Sequence, residues 1–194
     1  MNDTLKKIFD ANNGYLETRH LKKRSDFYKL KMLVQSGDVV LIKRGLYRLA
    51  SLAGNNELAE VCKIVQPGVI CMFSAWYFYQ LTTFAPSFYD LAIPSKMKRV
   101  LPNYPPINLY YWNEKQYSLG QILVDHEGET VKIFDLDKSV CDAIKFKNKI
   151  GEELSIEVLK NYLKRKDRNI DKLLKYSHQL RIENTLNEKL KLLI

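Results

Sequence analysis

Two aspartates, Asp135 and Asp137, stand one residue apart directly after the apolar run Val131–Phe134. Two carboxylates in one loop can serve as a nucleophile and as a general acid or base. The other reactive side chains are dispersed. His20, His126 and His178 never fall at the spacings that hold zinc, and Cys62, Cys71 and Cys141 form no C-x-x-C pair. Neither a metal nor a cofactor is expected. The odd number of cysteines argues against a disulfide framework and for buried thiols in a reducing compartment. None of the eight glycines precedes a lysine, no Gly-Ser pair exists, and no Asp/Glu-x-Lys triplet occurs. A P-loop, a nucleotidyltransferase phosphate turn and a restriction-type nuclease centre are thereby excluded.

The segment Ile133 to Ser139 resembles the strand and D-x-D-G-T start of haloacid-dehalogenase phosphatases. Lys138 stands where that family has glycine, and only 59 residues follow Asp135, all helical in pattern. They leave no room for the rest of an α/β phosphatase. The simpler expectation is that Asp135 or Asp137 caps a helix beginning near Ser139, which requires only an acceptor at that position. The chain is therefore expected not to be an enzyme.

Charge points elsewhere. The 194 residues carry a net +9, unevenly spread. Residues 1–50 hold 11 Lys and Arg against 5 Asp and Glu, residues 51–140 hold 7 against 9, and residues 141–194 hold 13 against 8. Two basic ends flank a nearly neutral middle, and a basic end attracts a polyanion. With 46% hydrophobic and 27% charged residues the chain has the composition of a globular protein. Its longest apolar stretch, Val69 to Tyr79, is far short of the roughly 20 residues that cross a bilayer. No membrane partner is expected. The N-terminal MNDTLKKIFD lacks a secretory pattern, and a cytoplasmic location is expected.

Residues 1–50 read as a winged helix-turn-helix. Leu5, Ile8 and Phe9 recur at helical spacing up to a stop at Asn12-Asn13-Gly14. Thr18 is placed to cap a short second helix around Leu21, and Arg24-Ser25-Asp26 forms a polar break before a third helix from Phe27 to Ser36. The β-type runs Val39–Ile42 and Leu46–Leu49 then flank Lys43-Arg44-Gly45 as a hairpin. On the third helix Phe27, Leu30, Leu33 and Val34 share the core side, while Tyr28, Met32 and Gln35 face away with Lys29 and Lys31 beside them. In helix-turn-helix proteins that outer face enters the major groove of duplex DNA. The expected DNA-contacting residues are Ser25, Tyr28, Lys29, Lys31 and Met32, with Lys43 and Arg44 on phosphate or the adjacent minor groove.

Gly54-Asn55-Asn56 reads as a linker to a second domain, residues 55–194. Leu58, Val61, Ile64 and Val65 mark a helix that stops at Pro67-Gly68, and the aromatic stretch Ser74–Leu81 is expected to pack in the core rather than stack on bases. Tyr89–Ile93, Ile107–Trp112, Gln121–Val124 and Val131–Phe134 read as strands of a small, mainly antiparallel sheet. From Asp137 onward the apolar spacing is helical, so the chain closes with a helical bundle. The fold class expected is α+β.

Gly14-Tyr15, Gly37-Asp38-Val39 and Lys43-Arg44-Gly45-Leu46-Tyr47-Arg48-Leu49 resemble the N-terminal winged helix of AbiEi-type antitoxins from bacterial abortive-infection toxin-antitoxin pairs. Phe73-Ser74-Ala75, Leu81-Thr82-Thr83, Ile93-Pro94, Asp137-Lys138-Ser139-Val140-Cys141-Asp142 and Lys149-Ile150-Gly151 follow in that family's order. Ser139 stands where threonine is usual and Leu46 where valine is common. The resemblance implies a winged helix that binds repeated sequences in its own promoter and a C-terminal domain that antagonises a partner nucleotidyltransferase toxin. On that basis the basic residues Lys145, Lys147, Lys149, Lys164, Arg165, Lys166 and Arg168 are the expected antagonistic surface, with an ordinary solvated helix face as the alternative. The rival reading of the whole chain is a stand-alone regulator whose C-terminal domain senses a ligand or dimerises.

Overall fold

The structure, a computed structural model, describes residues 3–52, 54 and 56–193. Its fold is α+β. Helix α1, Asp3–Ala11, buries Leu5 and Phe9 and ends where Gly14, at φ +78°, donates its N–H to the Phe9 carbonyl at 2.7 Å. Only a left-handed residue can close the helix this way without a Cβ penalty, which is why glycine follows the two asparagines.

Strand β1, Tyr15–Glu17, comes next and passes into a 3-10 turn over Thr18–His20. The second helix expected around Leu21 is reduced to that turn. Thr18 lies inside it rather than capping it, and its N–H donates to the Gly45 carbonyl at 2.9 Å. Helix α2, Arg24–Gln35, begins three residues before the expected start. Its N-cap is Lys23, with no side-chain cap, and Ser25 and Asp26 lie within the first turn. Buried Asp26 there sits among the unpaired amides at the positive end of the helix dipole, a setting that suits an acid. Leu30 is the buried centre of the core side, flanked by half-buried Leu33 and Val34. Phe27, expected in the core, is 45% exposed because it lies on the flank of that stripe.

Strands β2, Val39–Lys43, and β3, Leu46–Leu49, form the expected hairpin, turned by Gly45 at φ +85°. They join β1 in an antiparallel sheet of order β1-β3-β2, with a register shift between Leu41 and Lys43. Leu5, Phe9, Leu16, Leu21, Leu30 and Val39 make a core of their own for this part of the chain.

Of the linker, Asn55 lies outside the described residues. Asn56 is fixed at both ends of its amide. Its Oδ1 accepts from the Ala59 N–H at 2.9 Å, capping helix α3, Glu57–Ile64, while its Nδ2 donates to the His126 carbonyl at 2.7 Å. The apolar stretch that follows splits into a two-residue strand β4, Val69–Ile70, and helix α4, Met72–Phe78. Trp76 on α4 is fully buried and donates Nε1–H to the Ser139 carbonyl at 2.8 Å, so the aromatic run does pack inward, with Tyr77 left half exposed. Strands β5, Tyr89–Pro94, and β6, Ile107–Trp112, are followed by helix α5, Glu114–Ser118, and by strands β7, Gln121–His126, and β8, Glu129–Phe134.

The second sheet has the order β6-β5-β4-β8-β7 and is mixed, not mainly antiparallel. β5 pairs with β6, and β4 with β8, in parallel, whereas β4–β5 and β7–β8 are antiparallel. The segment between β5 and β6 holds Pro102, Pro105 and Pro106, and it returns the chain to the same end of the sheet instead of making a tight hairpin. The helical remainder comprises α6, Leu136–Lys145, α7, Lys147–Ile150, α8, Glu152–Leu163, α9, Ile170–Gln179, and α10, Glu183–Leu193. Trp76, Trp112, Phe134, Ile144, Leu159 and Tyr162 sit in the core that these helices share with the sheet. Cys71 and Cys141 are buried, Cys62 is half-buried, and all three are free thiols. No helix among the described residues is long and apolar enough to cross a membrane.

The two parts of the chain meet along α3. Arg48 on β3 pairs with Glu60 on α3, both nearly buried, and the Tyr15 hydroxyl donates to the same carboxylate at 3.1 Å. The Lys63 ammonium lies 4.1 Å from the centre of the Tyr15 ring. Tyr15 and Leu46 thus belong to the cluster formed by Val61, Ile64 and Val65 rather than to the N-terminal core.

Candidate nucleic-acid interface

Helix α2 is held by one side only. With Leu30 inward, the 100° step turns Ser25, Tyr28, Met32 and Gln35 outward. All four are exposed, Tyr28 at 68% and Met32 at 49%. Lys29 and Lys31 are exposed on the two flanks of this line, and Lys22, Lys23 and Arg24 are exposed at its N-terminal end. The structure therefore brings Ser25, Tyr28, Lys29, Lys31 and Met32 together on one solvent-facing surface.

The hairpin tip divides its two cations. Arg44 is exposed, whereas Lys43 is half-buried and donates from Nζ to the Ile64 carbonyl at the C-terminal end of α3. That acceptor is one of the carbonyls a helix leaves without an internal partner, and a lysine is well suited to it. Burial and the neighbouring Arg99 lower the pKa of Lys43. Lys43 is thus an anchor between the hairpin and α3 rather than a free phosphate ligand.

The paired aspartates are fully engaged. Asp135 is the N-cap of α6, its Oδ1 accepting from the Lys138 N–H at 2.8 Å. Its Oδ2 accepts from the Tyr176 hydroxyl at 3.0 Å and faces Lys172 Nζ at 3.0 Å. Asp137 takes the Tyr162 hydroxyl at 2.7 Å on Oδ1 and Lys172 Nζ at 3.2 Å on Oδ2. The helix starts at Leu136, three residues before the expected position, and its cap is Asp135. Every oxygen of the pair has a donor, an arrangement that fixes β8, α6, α8 and α9 to one another.

The basic residues of the C-terminal helices fall into two groups along the chain. Lys145 donates to the Leu180 carbonyl at 3.2 Å, Lys147 pairs with Glu152 at 3.8 Å, and Lys149 lies over the Phe146 ring. Arg165 is held by Asp167 and by the Tyr79 carbonyl at 2.7 Å, Arg168 donates to the Arg165 carbonyl, and Lys164 reaches Asn161. Lys166 is exposed. The first three precede α8 and the other four follow it, so its 12 residues, about 18 Å at 1.5 Å per residue, separate the two groups. Lys145, Lys147 and Arg165 are half-buried in local contacts, and the other four are exposed.

Sequence reasoning also missed a buried pair. Lys138 and Asp142 are fully buried, Nζ lying 2.6 and 2.7 Å from the two carboxylate oxygens. The Trp112 and Phe134 rings lie 4.4 and 4.5 Å from the ammonium. The signal was present as a Lys and an Asp four residues apart on one helix face, but the apolar neighbours that bury them come from other elements.

No protein-family model matches the chain, and a search of curated proteins finds no match.

Proposed function

We propose that this protein is a winged-helix DNA-binding regulator that represses its own promoter and acts as the antitoxin to a nucleotidyltransferase toxin. The observation that carries the DNA-binding half is the solvent-facing line of α2 with cations on both flanks, together with the exposed Arg44 of the hairpin. The order of a helix, a strand, a short turn, a second helix and a hairpin supports a winged helix in which α2 enters the major groove. The antitoxin half rests on the ordered resemblance to AbiEi-type antitoxins. The chain carries no chemistry of its own in this reading, the Asp135 and Asp137 carboxylates serving as a cap and a helix tie.

Titration of the intact protein with a labelled duplex from upstream of its own gene tests the first half. Log affinity is expected to fall linearly with log salt, at a slope of about −0.9 per phosphate neutralised. Affinity no better than for a random duplex would sink specific repression. Co-expression with a nucleotidyltransferase reading frame from the adjacent gene, scored by colony formation, tests the second half. Failure to restore growth would remove the antitoxin role.

The two hairpin cations are expected to behave differently. Arg44→Ala should weaken binding to all duplexes alike and reduce the salt slope by roughly one phosphate contact. Lys43→Ala should leave the slope unchanged and instead lower the unfolding midpoint, because its ammonium is spent on the Ile64 carbonyl. Equal effects on the slope would contradict this division.

One observation favours a second reading, the stand-alone regulator with a ligand-sensing domain. A cleft of about 650 Å³ opens beside α3 and α4, lined among others by Asn56, Glu57, Tyr77, Phe78, Tyr89 and His126. Such a volume accommodates a small molecule. The absence of any toxin-like gene beside this one, together with a small-molecule shift in promoter affinity, would favour that reading over the antitoxin.

A further inference from the structure

We infer that the outer face of α2 reads thymine methyl groups, so that the operator is A·T-rich where this helix enters the groove. The inference rests on the DNA-binding reading above and names the base chemistry of that same surface. In the major groove guanine presents two acceptors, which an arginine or lysine meets, whereas an A·T pair presents the thymine C5 methyl and the adenine N6 and N7 groups. The outward line of α2 holds no cation. It holds Ser25, the Tyr28 ring, the Met32 thioether and the Gln35 amide. The ring and thioether offer apolar contact to a methyl, the Gln35 amide matches the adenine edge, and serine is indifferent. Arg24, the one arginine on the helix, is its first residue, and Lys29 and Lys31 lie to the sides, where phosphates pass.

Tyr28 and Met32 are two large apolar side chains at the centre of a basic, solvent-facing surface. Protein-binding grooves are also apolar, but the cations around this pair select a polyanion as the occupant. Charge brings the duplex in, and the apolar pair then has one apolar group per A·T pair to cover in the major groove. Burial of a methyl-sized group of this kind changes affinity by about fourfold.

The test uses the full chain and the duplex from upstream of its own gene in two forms, one with thymine and one with uracil throughout. The exchange removes only the C5 methyl and keeps the pairing edge. The uracil duplex is expected to bind more weakly, by about fourfold for each methyl covered, while affinity for a random duplex at low salt hardly changes. Met32→Ala and Tyr28→Ala should each bring the thymine-to-uracil ratio toward one and leave the salt slope as it was, since the phosphate contacts lie elsewhere. Both side chains are exposed, so the variants keep the core intact. Equal affinity for the two forms, with promoter preference retained, overturns this inference and leaves the DNA-binding reading standing. A ratio that neither substitution alters overturns the assignment to these residues. No preference for the promoter over random duplex overturns both.

Discussion

Lys138→Ala is expected to cost roughly 3–5 kcal/mol of stability, a large part of the total for a domain-sized protein. The substitution leaves the Asp142 carboxylate buried and unpaired, and it empties the space between the Trp112 and Phe134 rings. Burial pushes the Asp142 carboxyl up even with the lysine beside it, so without the lysine the carboxyl will take up a proton rather than stay charged. The double substitution Lys138→Met with Asp142→Leu should recover most of the loss, because two charges are removed together and the volume is retained. Urea unfolding of the three proteins measures this. A single variant as stable as the parent, or a double variant as damaged as the single, would show that the pair is not what holds this part of the core.

Asp90→Asn should gain about 2–3 kcal/mol in stability relative to the parent between pH 4 and pH 8, the equivalent of some two pKa units. Asp90 on β5 is 2% exposed, and burial pushes its carboxyl up to about 6 against the lowering by the Asn108 amide and the backbone at Phe73 and Ser74. Its oxygens accept from the Asn108 Nδ2 at 3.2 Å and the Phe73 N–H at 3.1 Å, and an asparagine oxygen can keep one of these bonds. Because the folded pKa lies above the unfolded value of about 3.9, the folded chain binds the extra proton between the two. The contribution of Asp90 to stability therefore falls as pH rises from about 4 through about 6, and asparagine compares most favourably with the parent above that window. Equilibrium unfolding at pH 4, 6 and 8 measures it. A difference between variant and parent that stays the same from pH 4 to pH 8 would mean that the hydrogen bonds to the charged form offset its burial.

Much of the secondary structure is legible because it depends on local chemistry. Gly14, Gly37 and Gly45 all take positive φ, and each marks an end or a turn where the sequence places one. The outward face of α2 follows from the helical step alone. The sequence is silent where a feature depends on distant partners. β1 and β4 have three and two residues, too few for alternation to show, yet β1 sets the order of the first sheet and β4 lies at the centre of the second. The parallel pairings are a property of the path of the chain rather than of any strand. Lys43 looks like every other lysine at a hairpin tip, and its acceptor lies 21 residues away. Phe27 has the hydrophobicity of a core residue, yet 45% of it stays exposed.

The chain has two tryptophans, Trp76 and Trp112, and both lie in the core shared by the second sheet and the C-terminal helices. Selective excitation of indole will therefore watch that part of the molecule alone. Residues 1–50 carry tyrosines but no tryptophan, so helix α2 contributes to ellipticity and not to indole emission. Unfolding followed by the two signals separates the regions without labels. Coincident curves would mean that Arg48, Glu60 and Tyr15 join them into one cooperative unit, and separated curves that the N-terminal part opens on its own.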